Sequence, residues 1–262
     1  MLRFASIQLA SNQGERREER FVRAERYLQN LYEQDQRPQQ ILFPEIWATG
    51  FFAFDDYAAQ AETERGDTYD FMSAWARKLG CYIHTGSFVE KEGEQYYNTS
   101  LLLDPAGRVA AKYRKLHLFT FKSREPEILT PGSQITVADT EYGRVGLSAC
   151  YDIRFPELYR AMVNLGAEYF LVTSAWGMAR VEHWKLFNRA RAIENQCFVI
   201  SCDGAGTING SQLAGHSMAV DPWGEVIAMA GGEEEMLCFT LDPEKIRENR
   251  ANFPALRDKR LI

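Results

Sequence analysis

Nothing in the 262 residues approaches the run of roughly 20 apolar residues that a membrane span requires. The amino-terminal stretch Met1 to Leu9 reads directly as a strand, without the apolar core or small-residue cleavage site of a signal peptide. A cytoplasmic protein is therefore expected. Cysteine is scarce and odd in number: Cys81, Cys150, Cys197, Cys202 and Cys238, with no C-x-x-C pair among them. That excludes a disulfide framework or a zinc knuckle and leaves room for one reactive thiol. No excess of basic residues exists to hold a phosphate backbone: the formal net charge is −6, which argues against nucleic acid or an anionic membrane as a partner. A glycine-rich phosphate loop of either common type is missing, so a nucleotide-binding α/β protein is disfavoured. His117 and His216 share no metal-ligand spacing with cysteines or carboxylates, so neither metal nor cofactor is expected. Low-complexity linkers and internal repeats are also lacking, which makes residues 1–262 a single domain. A chain this long buries about 75% of its unfolded surface and needs no staple.

What is present is an alternation of short apolar runs and amphipathic segments. Strands are expected at Leu2 to Ala10, Gln40 to Phe43, Cys81 to Val89, Thr99 to Leu103 and Arg108 to Tyr113. Further strands are expected at Gln134 to Ala138, Arg144 to Ala149, Glu168 to Thr173, Cys197 to Cys202, Gly215 to Val220, Glu225 to Met229 and Met236 to Leu241. Glu15 to Tyr32, Thr68 to Leu79, Pro156 to Asn164, His183 to Gln196 and Asp242 to Asn249 have helical character, with Gly80 placed to end the second and Pro156 to open the third. Mixed sheet with helices on its outer faces follows.

Three places put polar residues at strand ends, where α/β proteins build sites. Glu45 follows an apolar strand and Pro44, a position where partial desolvation raises a carboxyl pKa and suits it to general-base work. Lys112, Arg114 and Lys115 end another strand. They read either as a solvated basic edge or as one inward ammonium beside a developing oxyanion; Leu116-His117-Leu118-Phe119 is too apolar for a purely exposed loop. Cys150 ends a strand shortly before a helix, an elbow that exposes a nucleophile and brings backbone N–H groups near its sulfur.

Together these residues resemble the carbon–nitrogen hydrolase (nitrilase-like) superfamily. Pro44-Glu45, Arg114-Lys115-Leu116-His117-Leu118-Phe119 and Cys150-Tyr151-Asp152-Ile153-Arg154-Phe155-Pro156-Glu157 look like its three catalytic signatures, in order, with spacings of 70 and 35 residues. Glu125 ahead of Leu129-Thr130-Pro131-Gly132, Ser174-Ala175-Trp176, His183-Trp184, Gly215-His216-Ser217 and Asp221-Pro222-Trp223-Gly224-Glu225 also match. Glu125, rather than Glu127, keeps the family's distance to the Thr-Pro-Gly turn. The resemblance implies an α-β-β-α sandwich, two mixed sheets face to face with outer helices, and a homodimer paired through helices. It implies Glu45 as base, Lys115 beside the reacting carbon, Cys150 as nucleophile and Glu125 holding Lys115. Trp176, Phe119 and Tyr151 are expected pocket walls. Arg154 is expected either to receive a substrate carboxylate or to pair internally with Asp152 or Glu157. Length and the Cys-Tyr-Asp-Ile-Arg-Phe-Pro element look most like the ω-amidase branch, which hydrolyses the terminal amide of α-ketoglutaramate-type acids; Lys112, Arg114 and Arg154 supply cations for the acid's carboxylate. The loop from Phe119 to Glu125 is shorter than in many relatives. Nitrile, N-carbamoyl amino acid or deaminated-glutathione hydrolysis on the same three residues are the alternatives, and an inactive binding protein of the same fold is the rival of another class. His183 and Trp184 read as packing or capping residues, and Glu194 as an ion-pair partner of Arg189 or Arg191.

Overall fold

The computed structural model describes residues 1–34 and 37–260. Two sheets carry the chain. In the first, Leu2–Gln8, Gln40–Leu42 and Tyr82–His84 run parallel and adjacent. Glu235–Leu241 flanks them antiparallel on one side, and Gln95–Leu103 on the other. Phe88–Glu92 and Val109–Arg114 pair antiparallel with Gln95–Leu103 and complete this sheet. The second sheet repeats the plan. Gly143–Ala149, Tyr169–Ser174 and Phe198–Asp203 form its parallel centre. Val137–Thr140, Met218–Val220 and Val226–Met229 are antiparallel additions.

Alternation along the strands sets the layers. Phe4, Leu42, Leu102, Leu147, Leu171 and Ile200 meet between the sheets. Their neighbours Ala5, Ile41, Phe43 and Ile83 face outward to the helices Arg17–Glu33 and Asp67–Leu79. Phe170, Val172 and Val199 face the helices Pro156–Asn164 and Val181–Asn195 through Leu158, Tyr159, Met162 and Trp184. Both faces of each central strand are covered, which is why most of their residues are buried and many are apolar. This is the α-β-β-α sandwich expected. The helices bury one stripe each; Ala24, Leu28 and Leu31 recur at helical spacing in the first. Gly80, at φ 66°, ends the second as its N–H returns to the Ala76 carbonyl. No helix among the described residues is long and apolar enough to cross a membrane.

Several expected boundaries moved: the strand expected from Thr99 begins at Gln95, and the one expected from Gly215 begins at Met218. Cys81 to Val89 is two strands rather than one, because the chain turns at Gly86 (φ 71°). A side chain there would collide with the Pro44 carbonyl, and the Ser87 N–H donates to that same oxygen at 3.1 Å. The break therefore buttresses the segment that carries Glu45. The strand expected at Gln134 to Ala138 lies at Val137–Thr140, where it pairs with Gly143–Ala149 as a hairpin.

Candidate active site

Glu45, Lys115, Glu125 and Cys150 converge where the two sheets meet at strand ends. Glu45 sits just beyond Gln40–Leu42, in a segment tied down on both sides. Its N–H donates to the Ser174 carbonyl at 3.0 Å, the Ile46 N–H donates to Ser87 Oγ at 3.0 Å, and Trp47 Nε1 donates to the Thr85 carbonyl at 2.9 Å. Ile46 adopts φ 44°, unusual for a β-branched residue and held by this network.

Lys115 follows Val109–Arg114, and its backbone is fixed by Asn98 and Gly132. Its Nζ donates to Glu45 Oε1 at 2.8 Å and to both Glu125 carboxylate oxygens at 3.0 Å. All three side chains are 0% exposed. Asn98 Nδ2 joins the two acids, donating to Glu45 at 2.8 Å and to Glu125 at 3.1 Å. Glu45 Oε2 accepts the Ala175 N–H at 3.1 Å, and Glu125 Oε2 accepts the Phe119 N–H at 2.7 Å. Glu127, by contrast, is exposed beside Arg124, so Glu125 is the carboxylate of the site.

Two buried carboxylates face one buried ammonium. Burial pushes the Glu45 carboxyl up, the Lys115 charge opposes that, and the Glu125 charge adds to it. Burial works against the Lys115 ammonium, yet Glu125 and Glu45 together outweigh it and raise its pKa. The Cys150 thiol is raised well above its ordinary value by burial and then by the Glu45 charge, with Lys115 opposing. The resting pair is therefore a thiol touching a carboxylate, and the sulfur becomes nucleophilic only as a base takes its proton.

Cys150 lies at the elbow between Gly143–Ala149 and Pro156–Asn164 and holds φ 46°. A non-glycine residue there carries strain of about 1–2 kcal/mol. Asp152 offsets it. One of its oxygens accepts the Ala149 N–H at 2.9 Å and the Tyr113 hydroxyl at 2.5 Å; the other accepts the His117 N–H at 3.0 Å. This completely buried carboxylate binds the Lys115 loop to the nucleophile's elbow.

A narrow pocket opens over Cys150, walled by Phe51, Phe119, Tyr151 and Trp176, with Arg154 and Arg180 on its side. Among the described residues no group of three or more His, Cys, Asp or Glu side chains is placed to hold a metal ion.

Several placements correct the sequence reading. Arg154 pairs with neither Asp152, whose oxygens are taken as described, nor Glu157. Its guanidinium lies over Trp176 at 4.8 Å and Phe187 at 5.1 Å, 3.4 Å from His183 Nδ1. Lys112 and Arg114 supply no charge to the pocket: Lys112 binds Glu90 and Glu64, and Arg114 binds Glu90 and Glu92. Arg191, not Arg189, pairs with Glu194, at 2.8 Å; Arg189 donates to the Gly224 carbonyl. Trp184 is fully buried in the outer core, whereas His183 stays near the surface. Phe51, Asn98 and Arg180 escaped the sequence reading. Asn98 was left just outside the strand expected from Thr99, although the polar run Asn98-Thr99-Ser100 inside an apolar strand was a signal. Arg180 stands in a short turn, Met178–Arg180, with no pattern to mark it.

Comparison with known proteins agrees with this geometry. The carbon-nitrogen hydrolase family model matches residues 3–251. The chain is 36% identical to the 2-oxoglutaramate amidase of Paenarthrobacter nicotinovorans, across 98% of this chain and 88% of that protein. It is 36% identical to the omega-amidase NIT2 of Homo sapiens, across 84% and 82% respectively. Among solved structures, Saccharomyces cerevisiae Nit3, a member of branch 10 of the nitrilase superfamily, superimposes with a TM-score of 0.89 at 30% identity, covering 99% of this chain and 97% of that one. The chain belongs to the carbon-nitrogen hydrolase family.

Proposed function

We propose that this protein is an ω-amidase: it hydrolyses the terminal amide of a short 2-oxo acid of the α-ketoglutaramate type, releasing ammonia. The observation that carries the reading is the pocket itself. It is lined by the buried Cys150 thiol, behind which lie the base and ammonium, and by the guanidinium of Arg154, which has no acidic partner among the described residues. The names of the relatives, 2-oxoglutaramate amidase and omega-amidase, point to the same substrate class. Nitrile, N-carbamoyl amino acid and deaminated-glutathione hydrolysis would use the same three residues, and neither those names nor the small pocket favours them.

In the reaction Glu45 takes the Cys150 proton as the sulfur attacks the amide carbon. The tetrahedral oxyanion is held by the Lys115 ammonium and the Tyr151 N–H; one such donor is typically worth roughly 10²–10³ in rate. Glu45 passes the proton to the nitrogen, the C–N bond breaks and ammonia leaves. A thioester remains. Water attacks it while Glu45 takes the water's proton; the C–S bond breaks, the proton returns to sulfur, and the acid departs. Glu125 and Asn98 keep Lys115 and Glu45 in register throughout. Phe119, Tyr151 and Trp176 wall the substrate, and Arg154 receives its carboxylate.

The protein is further read as a cytoplasmic homodimer. Leu186, Ile193, Trp223 and Phe253 are large apolar side chains left exposed on the Val181–Asn195 helix and the nearby Asp221–Glu225 turn and carboxy-terminal segment, a surface suited to an isologous contact. Steady-state ammonia release from α-ketoglutaramate, a nitrile of matched length and an N-carbamoyl amino acid tests the activity. Faster turnover of either alternative would overturn the ω-amidase reading.

A further inference from the structure

The pocket holds a second cation that the reaction as described does not use. Arg180 closes the wall next to Arg154, with its guanidinium 5.2 Å from the centre of the Phe119 ring. Neither arginine takes part in a salt bridge among the described residues, although most other arginines of the chain are paired with carboxylates or backbone carbonyls. Arg154 is half-buried between the Trp176 and Phe187 rings, and its charged form is disfavoured first by burial and then by the Arg180 charge. Two like charges converging on one small cavity repel each other, and only an anionic guest relieves that. A single carboxylate occupies one guanidinium fork; a second fork beside it calls for a further oxygen acceptor on the adjacent carbon.

We infer that Arg180 is a specificity-determining residue, which with Arg154 selects acids carrying an oxygen acceptor at the carbon next to the carboxylate and rejects those carrying an ammonium there. The inference rests on the ω-amide reading and adds to it the means of telling a 2-oxo acid from the corresponding 2-amino acid. In a 2-oxo acid the keto and carboxylate oxygens lie nearly in one plane and present a continuous edge of acceptors to two planar donors. A 2-amino acid of equal length brings a positive charge to the same place, against two others.

Three substrates of identical chain length isolate the effect: 2-oxoglutaramate, glutaramate (no substituent at that carbon) and glutamine. Wild-type enzyme should prefer them in that order. Arg180→Met keeps the apolar stem against Phe119, and the Arg180 carbonyl that accepts Trp176 Nε1 at 2.7 Å belongs to the backbone and is retained. The variant should lower the 2-oxoglutaramate to glutamine ratio of kcat/KM by about tenfold, the effect of removing one unit charge ~6 Å from another at an effective dielectric constant of ~40. Glutaramate should change least. Arg180→Lys, which keeps the charge, should hold most of the ratio. A ratio unmoved by Arg180→Met, or an equal fall for all three substrates, overturns the role of Arg180 while the ω-amidase reading stands. Wild-type enzyme that cleaves none of the three overturns both.

Discussion

Replacing Lys115 with methionine tests whether the site is organised by charge. Methionine matches the length and apolar stem of lysine but supplies no ammonium. The three hydrogen bonds from Nζ, at 2.8–3.0 Å to Glu45 and Glu125, would vanish, leaving two carboxyls in contact at zero exposure with only Asn98 between them. Removing one partner of a buried ion pair costs about 3–5 kcal/mol. For a chain of this length each kcal/mol is worth roughly 2–4 °C in melting temperature, so a fall of about 10 °C at pH 8 is expected. The loss has a direction in pH. Burial already raises Glu45, and without the opposing Lys115 charge its folded pKa would stand further above its unfolded value, near ~4.3. A group raised in this way contributes stability below its unfolded pKa and loses it as pH rises through the folded value. The variant should therefore approach wild-type stability near pH 5 and fall away towards pH 8. Thermal melts of both proteins at the two pH values, in one buffer series, read this directly. Equal melting temperatures at pH 8, or a deficit that shrinks on raising the pH, would refute the reasoning.

Cys150→Ala should abolish turnover without loss of folding, and Cys150→Ser should be nearly inactive because Glu45 cannot readily ionise a serine; iodoacetamide inactivation should track a label on Cys150, and inactivation tracking exposed Cys238 instead would sink the assignment. The acid limb of kcat/KM should lie above the usual carboxylate range, since burial raises Glu45 and the base must be ionised to act; a limb within that range, or one that persists in residual Glu45→Gln activity, would count against Glu45. Light scattering should give a dimer at micromolar concentration, with Trp223→Glu shifting it towards a ~30 kDa monomer; a monomeric wild type would remove the dimer from the proposal.

Much of the site was legible because its residues occupy strand ends, where a change from apolar to polar is visible in a short window. Glu45, Lys115 and Cys150 all lie at or just beyond strand ends, and the order and spacing of their motifs bound them into one pattern. The cations around Lys115 were less legible, yet the information was present. In a strand alternate residues face opposite ways, so Tyr113 and Lys115 share one direction while Lys112 and Arg114 share the other. The structure sends the second pair to Glu90, where burial would raise the carboxyl but the two cations pull it down. Asp152 shows the opposite limit. Its sequence neighbour Arg154 was the obvious partner, but the groups it binds come from residues 113, 117 and 149. Two of those three lie more than thirty positions away, and only the folded elbow brings them together. Arg180 sits in a turn without periodicity, so no local pattern could connect it to Cys150.

The charges of the site run in two opposite senses, and the difference bears on how a substrate would sit. Around the thiol, Glu45 and Glu125 exceed Lys115 by one negative charge when all three are ionised. On the pocket wall Arg154 and Arg180 add two positive charges with no acidic partner among the described residues. An acid with an amide at its far end can enter in two orientations of nearly equal shape. With the carboxylate inward it meets the excess negative charge of the base and its neighbour. With the amide inward the neutral group meets the thiol, and the carboxylate meets the guanidinium forks. Field and shape then agree on one productive pose, which is the positioning that accelerates a reaction between groups already held together. A neutral amide lacks this discrimination, so about half of its encounters would place the wrong end against Cys150. The cations on the wall would thus raise kcat/KM for an acid through orientation as well as affinity, and because both arginines are only partly buried the effect would weaken with added salt.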